Sequence, residues 1–271
     1  MKRRDFLVGA VSGMTSTVVM GAVGRAVSGK RAGDSEAPAP GVPRPTAPSR
    51  LYQGRRSFAQ QGEDLILYNL LCHDLQIRMP SYLDIGAGDP ALSNNTYALY
   101  LTGSRGVLVE PNPVLVRMLR AVRPGDVVVG CGVGLAKATE ADYFVIRGRW
   151  PLNTFSRETV AEYRRQSAED PVEEVLKLPL VPINQLIADC FGAAPDLISI
   201  DIEGMDLAVL RTMDFRAHRP AAICAETKKP GISHDNTPVA RLLRTKGYVP
   251  CAGSLYNTIF VDRSRLSSGQ G

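Results

Sequence analysis

The residues whose spacing suits chemistry stand at the ends of short apolar runs. Tyr82-Leu83-Asp84-Ile85 leads into Gly86-Ala87-Gly88, and glycines at such a turn let the backbone approach a ligand with no Cβ in the way. The turn is shorter than a full G-x-G-x-x-G fingerprint, and Pro90 stands where a dinucleotide site would open its helix. About 20 residues further on, Gly106-Val107-Leu108-Val109 ends in Glu110, an acid placed to accept hydrogen bonds from ribose hydroxyls. Alone, the first feature is a common structural turn and the second a surface acid; together they point to a nucleoside-bearing cofactor. Asp201 and Glu226 close two later apolar runs, and Glu203 follows the first of them. Open α/β sheets bind ligands at the C-terminal ends of their strands, which makes these three acids the catalytic candidates. Asp201 and Glu226 could act as base and orienting partner, or jointly hold a divalent cation. The bland alternative is that Asp201 and Glu203 serve the N-terminus of the next helix.

The elements that must position these residues alternate between strand and helix, the sign of a mostly parallel sheet with helices on both faces. Helices are expected over 62–72, 95–101, 114–122, 205–213 and 238–246, and strands over 82–86, 106–110, 126–131, 196–201 and 221–226. Residues 131–134 read as a turn after the third strand. The span 141–181 fits the alternation poorly, with a strand-like 143–146 and a helix-like 156–165, and reads as an insertion that helps form the acceptor pocket. Near the end, 248–251 and 258–262 lie so close together that they imply a hairpin and an antiparallel strand at one edge of the sheet.

Charge separates the domain from what precedes it. The 271 residues carry a formal charge of +5, and all of that excess falls within residues 1–50. The remainder is neutral overall, which removes a broad phosphate-backbone footprint and with it a nucleic-acid partner. Lys2-Arg3-Arg4-Asp5-Phe6-Leu7 and the charge-free stretch 6–24 resemble a twin-arginine export signal over 1–28, or an uncleaved membrane anchor. A Pro/Ala-rich linker over 29–50 follows, and the domain occupies 51–271. Five scattered cysteines without a C-x-x-C pair read as small buried hydrophobes rather than a zinc site or a disulfide framework. His73 and His218 are expected at the surface, His234 in a polar loop bordering the site, and Lys228-Lys229 as a solvated pair.

Six segments, in order, resemble the FkbM family of S-adenosylmethionine-dependent methyltransferases. They are 57–64 (Ser-Phe-Ala-Gln-Gln-Gly-Glu-Asp), 84–90 with 93–96 (Ser-Asn-Asn-Thr), Glu110-Pro111-Asn112-Pro113, Leu152-Asn153-Thr154-Phe155, 199–206 (Ser-Ile-Asp-Ile-Glu-Gly-Met-Asp) and Glu226-Thr227. The resemblance implies a Rossmann-like methyltransferase fold, S-adenosyl-L-methionine as methyl donor, and a hydroxyl on a sugar or other small natural product as acceptor. It makes Asp84, Gly86, Gly88 and Glu110 cofactor contacts, with Asn95 and Gly132 beside them and Asp84 facing the amino and sulfonium groups. Asp201, Glu203, Glu226 and the Gln60-Gly62-Glu63-Asp64 segment become site candidates, and no metal is assigned. The turn after the third strand offers no acid or amide side chain to read the adenine, so backbone groups must do so. Location pulls two ways: the leader suggests export or membrane association, whereas the cofactor suggests the cytoplasm. Two alternatives remain open, an exported or anchored binding protein that keeps the fold without turnover, and a nicotinamide-dependent oxidoreductase.

Overall fold

The computed structural model describes residues 56–135, 139–227 and 236–266. The leader, the linker, Lys228-Lys229 and His234 lie outside the described residues. Helix α1 (Glu63–Tyr68) runs on as a π-helical turn over Asn69–Asp74. Then come β1 (Tyr82–Ile85), α2 (Tyr97–Leu101), β2 (Gly106–Val109), α3 (Pro113–Val122) and β3 (Val127–Val129). The middle of the chain supplies β4 (Gly132–Gly134), β5 (Glu140–Ile146), a 3-10 turn at Trp150–Leu152, α4 (Arg157–Gln166) and β6 (Val172–Pro182). The remaining elements are α5 (Ile183–Phe191), β7 (Leu197–Ile200), α6 (Asp206–Thr212), β8 (Ala222–Glu226), α7 (Pro238–Thr245), β9 (Tyr248–Gly253), β10 (Asn257–Asp262) and α8 (Arg263–Leu266).

Seven strands form one sheet in the order β3-β2-β1-β7-β8-β10-β9. Neighbours from β3 to β8 are parallel, and β10 runs antiparallel to both β8 and β9. The fold is thus the Rossmann-like methyltransferase arrangement expected from the sequence, with one refinement. The antiparallel strand is not the edge: β10 is inserted between β8 and β9, all six of its residues are buried, and β9 takes the edge.

Strand alternation feeds two cores. Leu83 and Ile85 of β1 face one side, where Leu186 of α5, Leu210 of α6 and Leu243 of α7 cover the sheet. Tyr82 faces the other, against Leu67 of α1, Leu99 of α2 and Leu119 of α3. Local chemistry starts the longer helices where the sequence changes character: Asn112 caps Val114 N–H ahead of Pro113, and Thr237 caps Ala240 N–H ahead of Pro238.

Four expectations need correction. Residues 132–134 form strand β4 rather than a turn, pairing in parallel with β6 in a second sheet of order β4-β6-β5. Strand β3 is shorter than 126–131, because the Asp126 side chain accepts from Gly106 N–H and Tyr82 OH, and Cys131 N–H turns back to Val129 C=O. The insertion is therefore a small sheet carrying α4, with Phe144, Ile146 and Val160 as its own core. Of the histidines, His73 is exposed but His218 is half-buried, its Nδ1 enclosed without a partner. All five cysteines are free; Cys131, Cys190 and Cys224 are buried as expected, whereas Cys251 is exposed.

Candidate functional site

The glycine turn is fixed between β1 and β2: Gly86 and Ala87 N–H both donate to Val109 C=O, at 2.9 and 3.2 Å. Gly86 has φ +81°, and a Cβ there would fall 2.0 Å from the Asp201 carbonyl oxygen, so no other residue can hold this position. Gly88 N–H donates to Glu110 Oε2 at 3.0 Å, and Asn112 N–H to Glu110 Oε1 at 2.8 Å. Asn94, buried, clamps the turn from beneath by donating to Ala87 C=O and Asp89 C=O at 2.9 and 3.1 Å. Sequence reasoning quoted Asn94 only as part of a motif and missed this role.

Gly86, Gly88, Glu110, Gly132, Asp201 and Glu203 line one cavity at the C-terminal ends of the strands, together with Gln60. The insertion supplies the opposite wall through Tyr143, Trp150, Asn153, Thr154 and Phe155. Trp150 leans over the glycine turn, and a Cβ on Gly88 would meet its ring at 3.0 Å. The available signal for Trp150 was its being the single tryptophan of the chain.

Asp84, Asn95 and Glu226 are not among the cavity-lining residues. Asp84 shares a sheet face with Tyr82, away from the crevice, and accepts from Thr96 Oγ1 at 2.6 Å. It belongs to a buried network around Arg123, which is 0% exposed, pairs with Asp126 at 2.7 Å and donates to Asn94, Thr96 and Tyr82. Asn95 donates to Ser199 Oγ at 3.3 Å. Glu226 ends β8 opposite Asn257 of β10. Glu63 and Asp64 are buried and act as bolts: Glu63 accepts from Ser254, Asn257 and Gln61 N–H, and Asp64 from Ser57 and Phe58 N–H, which holds the segment that presents Gln60. Neither Asp201 nor Glu203 caps α6, whose N-cap is Met205 with no side-chain cap bond.

The field in the crevice is negative. Burial pushes the Glu110 carboxyl up to about 7 against the two backbone N–H groups that favour its ionised form. Asp201 is held well above the usual carboxylate range by burial and by Asp206, Glu226 and Glu203. Burial and Glu226 raise Glu203 to about 7, opposed by a hydrogen bond from Tyr163. Asp206, 4% exposed, rises to about 8 through burial and Glu226, and its Oδ1 has no partner. Among the described residues the lining carries Glu110, Asp201 and Glu203 and no Lys, Arg or His, so a cationic ligand is favoured there. Among the described residues no group of three or more His, Cys, Asp and Glu is arranged to hold a metal ion.

The family model described as the methyltransferase FkbM domain matches residues 84–250, more than half of the chain and every cavity-lining element except the segment carrying Gln60. The chain belongs to the FkbM methyltransferase family. As a member it is a methyltransferase whose methyl donor is S-adenosylmethionine. The residues present fit that cofactor: a backbone cradle that a Cβ at Gly86 would close, a carboxylate at Glu110 with lone pairs to spare, and a crevice of negative sign for a sulfonium and an ammonium. Similar solved structures include a TehB-like SAM-dependent methyltransferase from Corynebacterium glutamicum, at 13% identity over 79% of this chain and 93% of that one, with a TM-score of 0.37. An O-methyltransferase from Bacillus cereus in complex with SAH aligns at 13% identity over 93% of each chain, with a TM-score of 0.34. A 1,6-didemethyltoxoflavin-N1-methyltransferase from Burkholderia thailandensis aligns at 14% identity over 78% of this chain and 82% of that one, with a TM-score of 0.37. No curated protein matches the chain. A dinucleotide site would open its helix directly after the glycine turn, whereas the next helix here begins at Tyr97, which counts against the nicotinamide alternative.

Proposed function

We propose that this FkbM methyltransferase methylates a hydroxyl oxygen on a sugar or other small natural product. The observation that supports this reading is the meeting of two different walls in one cavity: Gly86, Gly88 and Glu110 on the sheet side, suited to a nucleoside, and Asp201 and Glu203 facing the insertion. S-adenosylmethionine supplies an electrophilic methyl group on a sulfonium. Glu110 holds the ribose, the Gly86–Gly88 backbone gives close approach, and Cys131 and Gly132 offer backbone rather than side-chain contacts to the base. Asp84 accepts from Thr96 and Asn95 donates to Ser199, and neither lines the cavity, so both are left out of the ligand contacts. An alcohol is a poor nucleophile and gains from a base that removes its proton as it attacks. Asp201 and Glu203 are the acids placed for that task, and Glu226 acts through its charge on both. The aromatic wall of Tyr143, Trp150 and Phe155 suits the apolar face of a sugar ring and excludes competing water.

Titration calorimetry of the full-length chain with S-adenosylmethionine, S-adenosylhomocysteine and NAD tests the donor side. Binding of the first two without the third is the expected result. Incubation with methyl-labelled S-adenosylmethionine and a panel of neutral and amino sugars, with products analysed by mass spectrometry, tests the acceptor side. Label found on nitrogen in amino-sugar members of the panel, and never on oxygen, would refute hydroxyl methylation.

A further inference from the structure

Three hydroxyl groups of the insertion converge on Glu203. Thr154 Oγ1 donates to the Glu203 carbonyl oxygen at 3.1 Å, and Thr159 Oγ1 donates to the same oxygen at 3.2 Å. Tyr163 OH donates to the carboxylate, at 3.1 Å from Oε2. Thr159 and Tyr163 are one turn apart on the same face of α4, a helix started by the Ser156 cap on Thr159 N–H. Thr154 is fixed in turn by its backbone bonds to Phe144 of β5. All this support is directed at a residue in an uncommon conformation: Glu203 has φ +48°, in the left-handed region that residues with a Cβ rarely adopt. It is followed by Gly204 at φ +91°, where a Cβ would fall 2.8 Å from Thr159 Oγ1. Strain of this kind persists where surrounding structure over-determines it, and it concentrates at functional sites.

We propose that Tyr163, with Thr154 and Thr159, is a positioning device that holds Glu203 as the proton acceptor of the reaction, so that the insertion walling the acceptor pocket also sets its base. The inference rests on hydroxyl methylation as read above. The proton leaves the acceptor hydroxyl as its oxygen bonds the methyl carbon; it ends on the Glu203 carboxylate, and the electrons of the broken S–C bond stay on sulfur. Asp201 lines the same cavity, but no hydrogen bond from the insertion reaches its side chain among the described residues. Among the described residues, the titratable groups coupled to Glu203 are Tyr163 from α4, Glu226 at the end of β8, and Asp201 and Asp206 on its own connection. Burial and Glu226 favour the protonated form of Glu203, and the tyrosine favours the ionised one.

The test is a carbon-13 NMR titration of the full-length chain labelled at the glutamate carboxyl and tyrosine Cζ carbons, with Glu203→Gln and Tyr163→Phe used to assign the two signals. In the unsubstituted protein, Tyr163 Cζ is expected to shift with the same midpoint as Glu203. In Tyr163→Phe the Glu203 midpoint is expected to rise by about one pH unit, since a donor to the charged form is lost, while calorimetric affinity for S-adenosylmethionine is retained. Thr159→Ser, which keeps the hydroxyl, should leave the midpoint in place. A Tyr163 signal that ignores Glu203, or a Glu203 midpoint that does not move in Tyr163→Phe, overturns the proposal. The Cζ measurement needs no substitution that could unfold the chain. Failure of the unsubstituted protein to bind S-adenosylmethionine would instead strike the reading on which the proposal rests, and the titration result would still stand by itself.

Discussion

Glu110 accepts one backbone N–H on each carboxylate oxygen, from Gly88 and from Asn112, and keeps its remaining lone pairs for a ligand. Glu110→Ala is expected to weaken S-adenosylmethionine binding by roughly 1–3 kcal/mol, the scale of lost hydrogen bonds to a charged group, as read by calorimetry; unchanged affinity would remove Glu110 from the site. The raised carboxyls also set a pH dependence. Glu110 and Glu203 at about 7 and Asp206 at about 8 keep their protons in the fold at pH values where the unfolded chain, with ordinary carboxyls near 4 to 4.5, has lost them. The folded state binds more protons within that window, so stability falls as pH rises through it. Thermal unfolding should give a higher Tm at about pH 5.5 than at about pH 8, and Asp206→Asn should narrow the gap. Equal or reversed Tm values would contradict the electrostatics described for the crevice. Glu110 was legible in the sequence because strand-end position alone carries it to the crevice. Asp84 was misplaced because alternation matters as much as position: one residue before Ile85, it points to the opposite sheet face, where Arg123 and Thr96 wait.

Between elements, Arg123 at the end of α3 ties β1 through Tyr82 and the loop before α2 through Asn94 and Thr96. Arg123→Met is expected to destabilise the fold by about 3–5 kcal/mol, because Asp126 and Asp84 would stay buried without their cation; a urea midpoint close to that of the unsubstituted protein would show the network to be dispensable. Nothing local in the sequence announces this post, since an arginine before Pro124-Gly125 reads as a helix end at the surface. The second sheet was hidden for a related reason. Gly132-Val133-Gly134 becomes a strand only because β6 arrives beside it from 48 residues later, and the exposed Glu173, Glu174 and Lys177 blur the strand character of β6 itself. Helices with a cap and a proline at their start, α3 and α7, were found to within a residue.

For the molecule as a whole, the order of strands was within reach of the sequence because parallel strands joined by helices admit few arrangements, and the closely spaced final pair demanded an antiparallel partner. What pairing distance alone left open was that β10 would lie inside the sheet. Its burial makes the C-terminus structural: a chain ending at Gly247 would expose the β8 edge and lose Phe260 from one core and Ile259 and Val261 from the other. Such a truncation should lose cooperative thermal unfolding, whereas removal of a peripheral hairpin would leave it intact. The 271 residues contain a single tryptophan, the one leaning over Gly88. The protein therefore carries its own optical probe. Light emitted by Trp150 originates at the wall of the crevice, and a change in its intensity or colour on adding a nucleoside would time the filling and emptying of the site in the unlabelled, full-length enzyme.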